Sequence, residues 1–141
     1  MLKGIPSILT PELLKVLMEM GHGDEIVLGD GNFPAASHAQ RLIRCDGHAV
    51  PELLKAILLL FPLDTYCEQP VALMAKVPGD PVETPIWGEY ETIIGEHMQP
   101  AIEHVERFAF YERAKRAYAI VATGEKALYA NVILKKGVVV E

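Results

Sequence analysis

The chain reads as an α/β protein: a three-layer sandwich whose mostly parallel, mixed sheet is covered by helices on both faces. Three observations predict this. Short apolar runs of strand length, such as Ile26-Val27-Leu28, alternate with amphipathic segments of helical spacing. Several of those segments open on Pro, and such alternation favours parallel strands with helices crossing both faces. The last two apolar runs follow each other with no helix between them, so one of that pair is expected to run antiparallel.

The elements follow in order. Thr10-Pro11-Glu12 is a helix start, with a capping oxygen, a proline in the first turn and an acid at the positive end. Leu13, Leu14, Leu17 and Met18 supply its apolar face, and Gly21 is expected to end it as a left-handed glycine. The strand at Ile26 comes next, then a short helix near Ala35 to Gln40 and a strand around Leu42 to Cys45. A second strong helix opens at Pro51-Glu52 and runs to about Leu60, where Pro62 forces its end. Val71 to Val77 is the next strand, and Pro78-Gly79-Asp80-Pro81 is a turn-rich loop. A helix includes Trp87 and ends near Gly95, a short strand ends at Val105, and Phe108 to Lys115 is helical. Tyr118 to Ala122 and Ala130 to Leu134 are the last strands, with Gly124 turning between them.

Composition narrows the function classes. The 141 residues are expected to form one domain, and half of them are apolar. No apolar run approaches the roughly 18 residues of a membrane span, and the N-terminus has no apolar core of a signal peptide. Cys45 and Cys67 form neither a CxxC pair nor a disulfide framework and read as small buried hydrophobes in a reducing compartment, which points to the cytoplasm. A net charge of −6 disfavours nucleic acid. The tightest basic cluster, Arg113, Lys115 and Arg116, reads as a solvated helix face, so a small neutral substrate fits best.

The candidate chemistry lies at strand ends. His22 stands between two glycines, before the first strand, and cannot be a core residue of a regular element. It is either a surface turn histidine or a proton carrier, since imidazole as a class titrates close to neutrality. Asp30 follows the same strand, where open α/β sheets bind ligands, although an Asx-turn onto Asn32 explains it equally well. Arg107 follows another strand and can fork hydrogen bonds to an oxygen, or form a surface ion pair. Tyr129 and Asn131 flank Ala130, and strand alternation would send both side chains to one face, suited to sugar hydroxyls or to a plain sheet edge. Trp87 and Tyr90 read as core packing, with a sugar-stacking lid as the minor alternative. His38, His48, His97 and His104 show no metal-ligand spacing, so no metal site is expected. Gly29-Asp30-Gly31 lacks the third glycine of a dinucleotide fingerprint, and a GxSxG elbow is absent.

From Gly4 to about Gly137 the chain resembles the RbsD/FucU family of sugar mutarotases, most closely its L-fucose mutarotase branch. The resemblance is carried by Gly21-His22-Gly23-Asp24, Asp30-Gly31-Asn32-Phe33-Pro34, Pro62-Leu63-Asp64-Thr65-Tyr66, Ala122-Thr123-Gly124-Glu125 and Leu134-Lys135-Lys136-Gly137. The long block Arg107-Phe108-Ala109-Phe110-Tyr111-Glu112-Arg113-Ala114 is its most specific part and points to the fucose rather than the ribose branch. The resemblance implies cofactor-free, cytoplasmic interconversion of sugar anomers in ring-shaped homodecamers with sites between subunits. It assigns proton transfer to His22 and sugar binding to Asp30, Arg107, Tyr129, Ala130 and Asn131. Phe33, Trp87 or Tyr129 would supply an apolar wall for the fucose methyl group. Gly29 and Gly31 stand where alanines are expected in this branch. A ribose pyranase and a catalytically silent sugar-binding or scaffold subunit remain the rival readings.

Overall fold

The computed structural model describes residues 1–141. Its elements run α1 (Pro11–Glu19), β1 (Glu25–Gly29), α2 (Ala35–His38), β2 (Leu42–Cys45), α3 (Val50–Leu58), β3 (Val71–Met74), α4 (Pro85–Gly95), β4 (Ile102–Val105), α5 (Arg107–Arg116), β5 (Ala119–Thr123) and β6 (Val132–Lys135). The strands form one six-stranded sheet in the order β2-β5-β1-β6-β3-β4. β6 alone is antiparallel, to β1 and β3; every other neighbouring pair is parallel. The mixed sheet is therefore as expected, and its antiparallel member is the last strand.

Alternation along the strands makes two cores. Ile26, Leu28, Val121, Val132 and Leu134 point to one face, where α1, α3 and α4 cover them with Leu13, Leu53, Ile57 and Tyr90. Val27, Ile120 and Ile133 point to the other, under Phe33 and Ala35 near α2 and under Phe110 and Ala114 of α5. Leu13, Leu53 and Ile57 are wholly buried, so truncating any one to alanine should cost about 2–5 kcal/mol. The helix starts match the sequence signals. Thr10 Oγ1 accepts the Leu13 amide at 3.1 Å, and the Glu52 carboxylate accepts the Ala49 amide at 3.0 Å. No helix is long and apolar enough to cross a membrane.

Several expectations change. Gly21 is not the left-handed end of α1: Met20 leaves the helix extended, and the positive φ of 87° belongs to Gly23. Gly21 instead donates its amide to the Asp24 carboxylate at 2.7 Å. β3 stops at Met74, because the chain then swings away as the loop that contains Pro78 and Asp80. Gly124 does not turn a hairpin, since β5 and β6 are not paired and β1 lies between them. Any side chain at Gly124 would strike the Asp46 carbonyl, so its smallness serves a close approach of two loops. Arg113 is not solvated: with 17% of its side chain exposed, it binds Glu25 and Glu103. Hydrogen bonding to Glu25 holds its guanidinium firmly charged.

Candidate functional site

The candidate residues fall at two opposite ends of the sheet. Because β6 is antiparallel to β1, the end of β1 lies beside the start of β6, and Leu28 pairs with Val132. The loops that follow β1 and precede β6 therefore meet. Asp30 and Asn131 are buried there, and Asn131 Oδ1 accepts the Asp30 amide at 2.7 Å. That bond leaves the Asn131 amide nitrogen to donate elsewhere. Asp30 Oδ1 accepts the Asn32 amide at 2.9 Å, so the Asx-turn is real. The turn and a binding role are compatible, because the turn fixes the carboxyl. Burial pushes the Asp30 carboxyl above its ordinary range.

A cleft of about 260 Å³ opens at this end, lined by Asp30, Phe33, Asp80, Arg107, Tyr111, Tyr129 and Asn131 among others. Arg107 is the first residue of α5 and lies over the Phe108 ring at 4.6 Å, with no carboxylate within ion-pair distance. The sheet thus gathers Asp30, Arg107, Tyr129 and Asn131, with carboxylate, guanidinium, phenol and amide chemistry around a space of monosaccharide scale.

Strand alternation is not what brings Tyr129 there. β6 begins only at Val132, and Tyr129 has a φ of 56°, a left-handed backbone that is uncommon outside glycine. The Trp87 indole donates to the Tyr129 carbonyl at 2.8 Å, and the Tyr90 hydroxyl donates to the Ala130 carbonyl at 2.7 Å. Trp87 and Tyr90 therefore brace the site from the core side, and neither lines the cleft. Ala130 is buried and contributes backbone. Of the three side chains considered for an apolar wall, Phe33 and Tyr129 line the cleft. The Phe33 ring lies where a side chain on Gly29 would sit, with a Cβ there 2.9 Å from it. Glycine at position 29 lets this ring settle against the strand.

His22 stands at the other end of β1. Its Nε2 is 3.0 Å from Asp64 Oδ1, and its ring lies 5.2 Å from that of Tyr66. Asp64 is buried, and its amide donates to the Lys135 carbonyl at the end of β6. Burial opposes ionisation of Asp64, but the Tyr66 amide, His22 and the Cys67 thiol outweigh it and hold the carboxyl below its ordinary value. Cys67 is thus half-buried against a carboxylate rather than packed among apolar groups, and burial raises its thiol. A carboxylate only accepts, so neutral His22 carries its proton on Nε2 and presents Nδ1 as a base. The glycine-flanked imidazole is oriented rather than loose.

Sequence reasoning missed two acidic residues: Asp64, the partner of His22, and Asp80, whose carboxylate accepts the Tyr129 hydroxyl at 2.5 Å. Asp64 lies 42 positions from His22 and Asp80 lies 49 from Tyr129. The only signals were their places, one within the Pro62–Tyr66 block and the other in the Pro78–Pro81 turn.

Residues 3–139 match the RbsD / FucU transport protein family. The human fucose mutarotase is 56% identical over 144 residues, which covers 97% of this chain and 94% of the human protein. The L-fucose mutarotase of Actinobacillus pleuropneumoniae is 54% identical over 140 residues, covering 98% and 97%. Among solved structures, the Streptococcus pneumoniae fucose mutarotase in complex with L-fucose superposes with a TM-score of 0.95. It is 57% identical, with 99% of this chain and 100% of that chain covered.

Proposed function

The chain belongs to the RbsD/FucU family, and from that premise we propose that it is a cofactor-independent L-fucose mutarotase, one domain over residues 1–141 that works in the cytoplasm as a ring-shaped homodecamer. The observation that carries the reading is the convergence of Asp30, Arg107, Tyr129 and Asn131 on one cleft, given relatives that are named for this activity at more than half identity.

Mutarotation removes the proton from the anomeric hydroxyl and delivers one to the ring oxygen. The C1–O5 bond breaks, the aldehyde rotates, and the ring recloses on its other face. His22 moves the proton: Nδ1 takes it from one oxygen and the resulting imidazolium returns it to the other, while Asp64 steadies the cation. Such a positioned acid-base group contributes about 10²–10⁴-fold. Asp30 and the Asn131 amide hold sugar hydroxyls, Arg107 polarises one, and Phe33 and Tyr129 meet the methyl group. That methyl contact discriminates by about 1–3 kcal/mol.

His22 and this cleft lie at opposite ends of β1, so the active site is completed between subunits, with His22 of one chain entering the cleft of its neighbour. Saturation-transfer NMR with L-fucose and D-ribose tests the function. Faster exchange between fucose anomers than between ribose forms is expected, and exhaustive chelation should leave it unchanged. Ribose exchange outpacing fucose would indicate a pyranase, and saturable fucose binding without exchange would indicate a binding subunit.

A further inference from the structure

The loop after β3 closes on itself through Asp80. The Asp80 amide donates to the Val77 carbonyl at 3.0 Å, Asp80 Oδ1 accepts the Val82 amide at 3.0 Å, and Lys76 Nζ donates to the Val82 carbonyl at 2.8 Å. Both hydrogen bonds from this loop to the segment before β6 run through one atom, Tyr129 Oη. It donates to Asp80 Oδ2 at 2.5 Å and accepts the Val77 amide at 3.2 Å. The phenol proton and one lone pair are thereby engaged, so Tyr129, which lines the cleft, has no proton left to donate there and offers chiefly its ring. The same residue has the left-handed backbone and is held at its carbonyl by Trp87. A strained residue persists where its surroundings over-determine it, and here it is gripped at both ends.

We propose that Asp80 is a positioning residue of the sugar cleft: by clasping the Tyr129 phenol it fixes the 76–82 loop as the outer wall and sets how tightly a monosaccharide is held. Asp80 and Val77 both line that cleft together with Tyr129. The phenol and the Val82 amide hold the Asp80 carboxyl below its ordinary value, so the clasp is charge-assisted at neutral pH. An apolar ring pinned in place is a preorganised surface, and preorganisation acts mainly on affinity.

The proposal rests on the mutarotase reading, and its test separates the two. Exchange rates measured by NMR over a range of L-fucose concentrations give KM and kcat. Asp80→Ala should raise KM about tenfold, the loss expected for one hydrogen bond to a charged group, with kcat changed less than about twofold. Asp80→Asn keeps an oxygen that accepts the phenol and should recover most of the affinity. Tyr129→Phe should raise KM similarly, and the double variant with Asp80→Ala should be no worse than the worse single one. An unchanged KM in Asp80→Ala, a fall confined to kcat, or losses that multiply in the double variant would overturn the clasp. Hydrogen exchange of the Val77 amide, read without sugar, should quicken in Asp80→Ala; equal protection in both proteins would also overturn it. A wild-type protein that fails to exchange fucose anomers would sink the mutarotase reading, and the Val77 measurement would still decide the clasp.

Discussion

Mixing two inactive variants tests whether the site is shared between chains. β1 spans Glu25–Gly29, which at about 3.3 Å per residue separates its ends by about 13 Å. His22 precedes the strand and Asp30 follows it, so a single pyranose cannot bridge both within one chain. In the proposed mechanism His22→Ala removes the proton carrier and Asp30→Asn a sugar-binding carboxylate, so each variant alone should be silent. When the two are unfolded together at equal amounts and co-refolded, the donor of each interface carries an intact His22 half of the time. The acceptor carries an intact Asp30 equally often, so roughly one quarter of the sites should be whole in a ring of head-to-tail contacts. Anomer exchange of L-fucose by NMR should therefore return to about a quarter of the wild-type rate. A mixture of the separately refolded variants should stay inactive. If native mass spectrometry verifies mixed assemblies and no activity returns, each site is built within one chain and the reasoning from strand length is wrong.

Three further outcomes are expected. His22→Ala alone should lower exchange by about 10²–10⁴-fold while circular dichroism shows a folded protein, because a half-exposed side chain leaves no core cavity; near wild-type exchange would remove histidine from the mechanism. The Asp30 carboxyl has a folded pKa raised by burial above its ordinary 3.8. Its ionisation therefore opposes folding at neutral pH, and that opposition fades as pH falls through the raised value toward 3.8. Asp30→Asn, which keeps an acceptor for the Asn32 amide, should raise Tm near pH 7 and lose the advantage on acidification; a pH-independent difference would contradict this. Arg113→Ala leaves Glu25 and Glu103 without their partner and should cost about 2 kcal/mol, read as a lower urea midpoint.

The layered fold was legible because local signals sufficed. Thr10-Pro11 and Pro51-Glu52 announce helices by chemistry that acts within a single turn, and Val27 or Ile133 marks a strand by its apolar neighbours. The cleft was half legible. Asp30 and Arg107 could be placed at strand ends, where ligands bind, without knowing which strands were neighbours. Tyr129 reached the cleft for another reason: its backbone is left-handed, and its carbonyl and hydroxyl bond Trp87 and Asp80, both remote in sequence. Asp64 and Arg113 were misjudged or missed alike, because a charge looks solvated until the chain that buries it is in place. Gly21 and Gly23 are equally permissive as residues, and their roles separate only through contacts made in the fold: the Gly21 amide bonds the Asp24 carboxylate, while Gly23, with its positive φ, bonds the Lys136 carbonyl at 2.8 Å.

β6 has a consequence of its own. Its first residue follows Asn131, and the carbonyl of its last, Lys135, receives the Asp64 amide. One short rod, buried on both faces through Ile133 and its neighbours, thus carries an element of the cleft at one end and the support of His22 at the other. Under the shared-site reading each subunit serves two sites, giving with one end and receiving with the other. Turnover per molecule should then fall on dilution, as open chain ends replace closed contacts, although every individual fold remains intact.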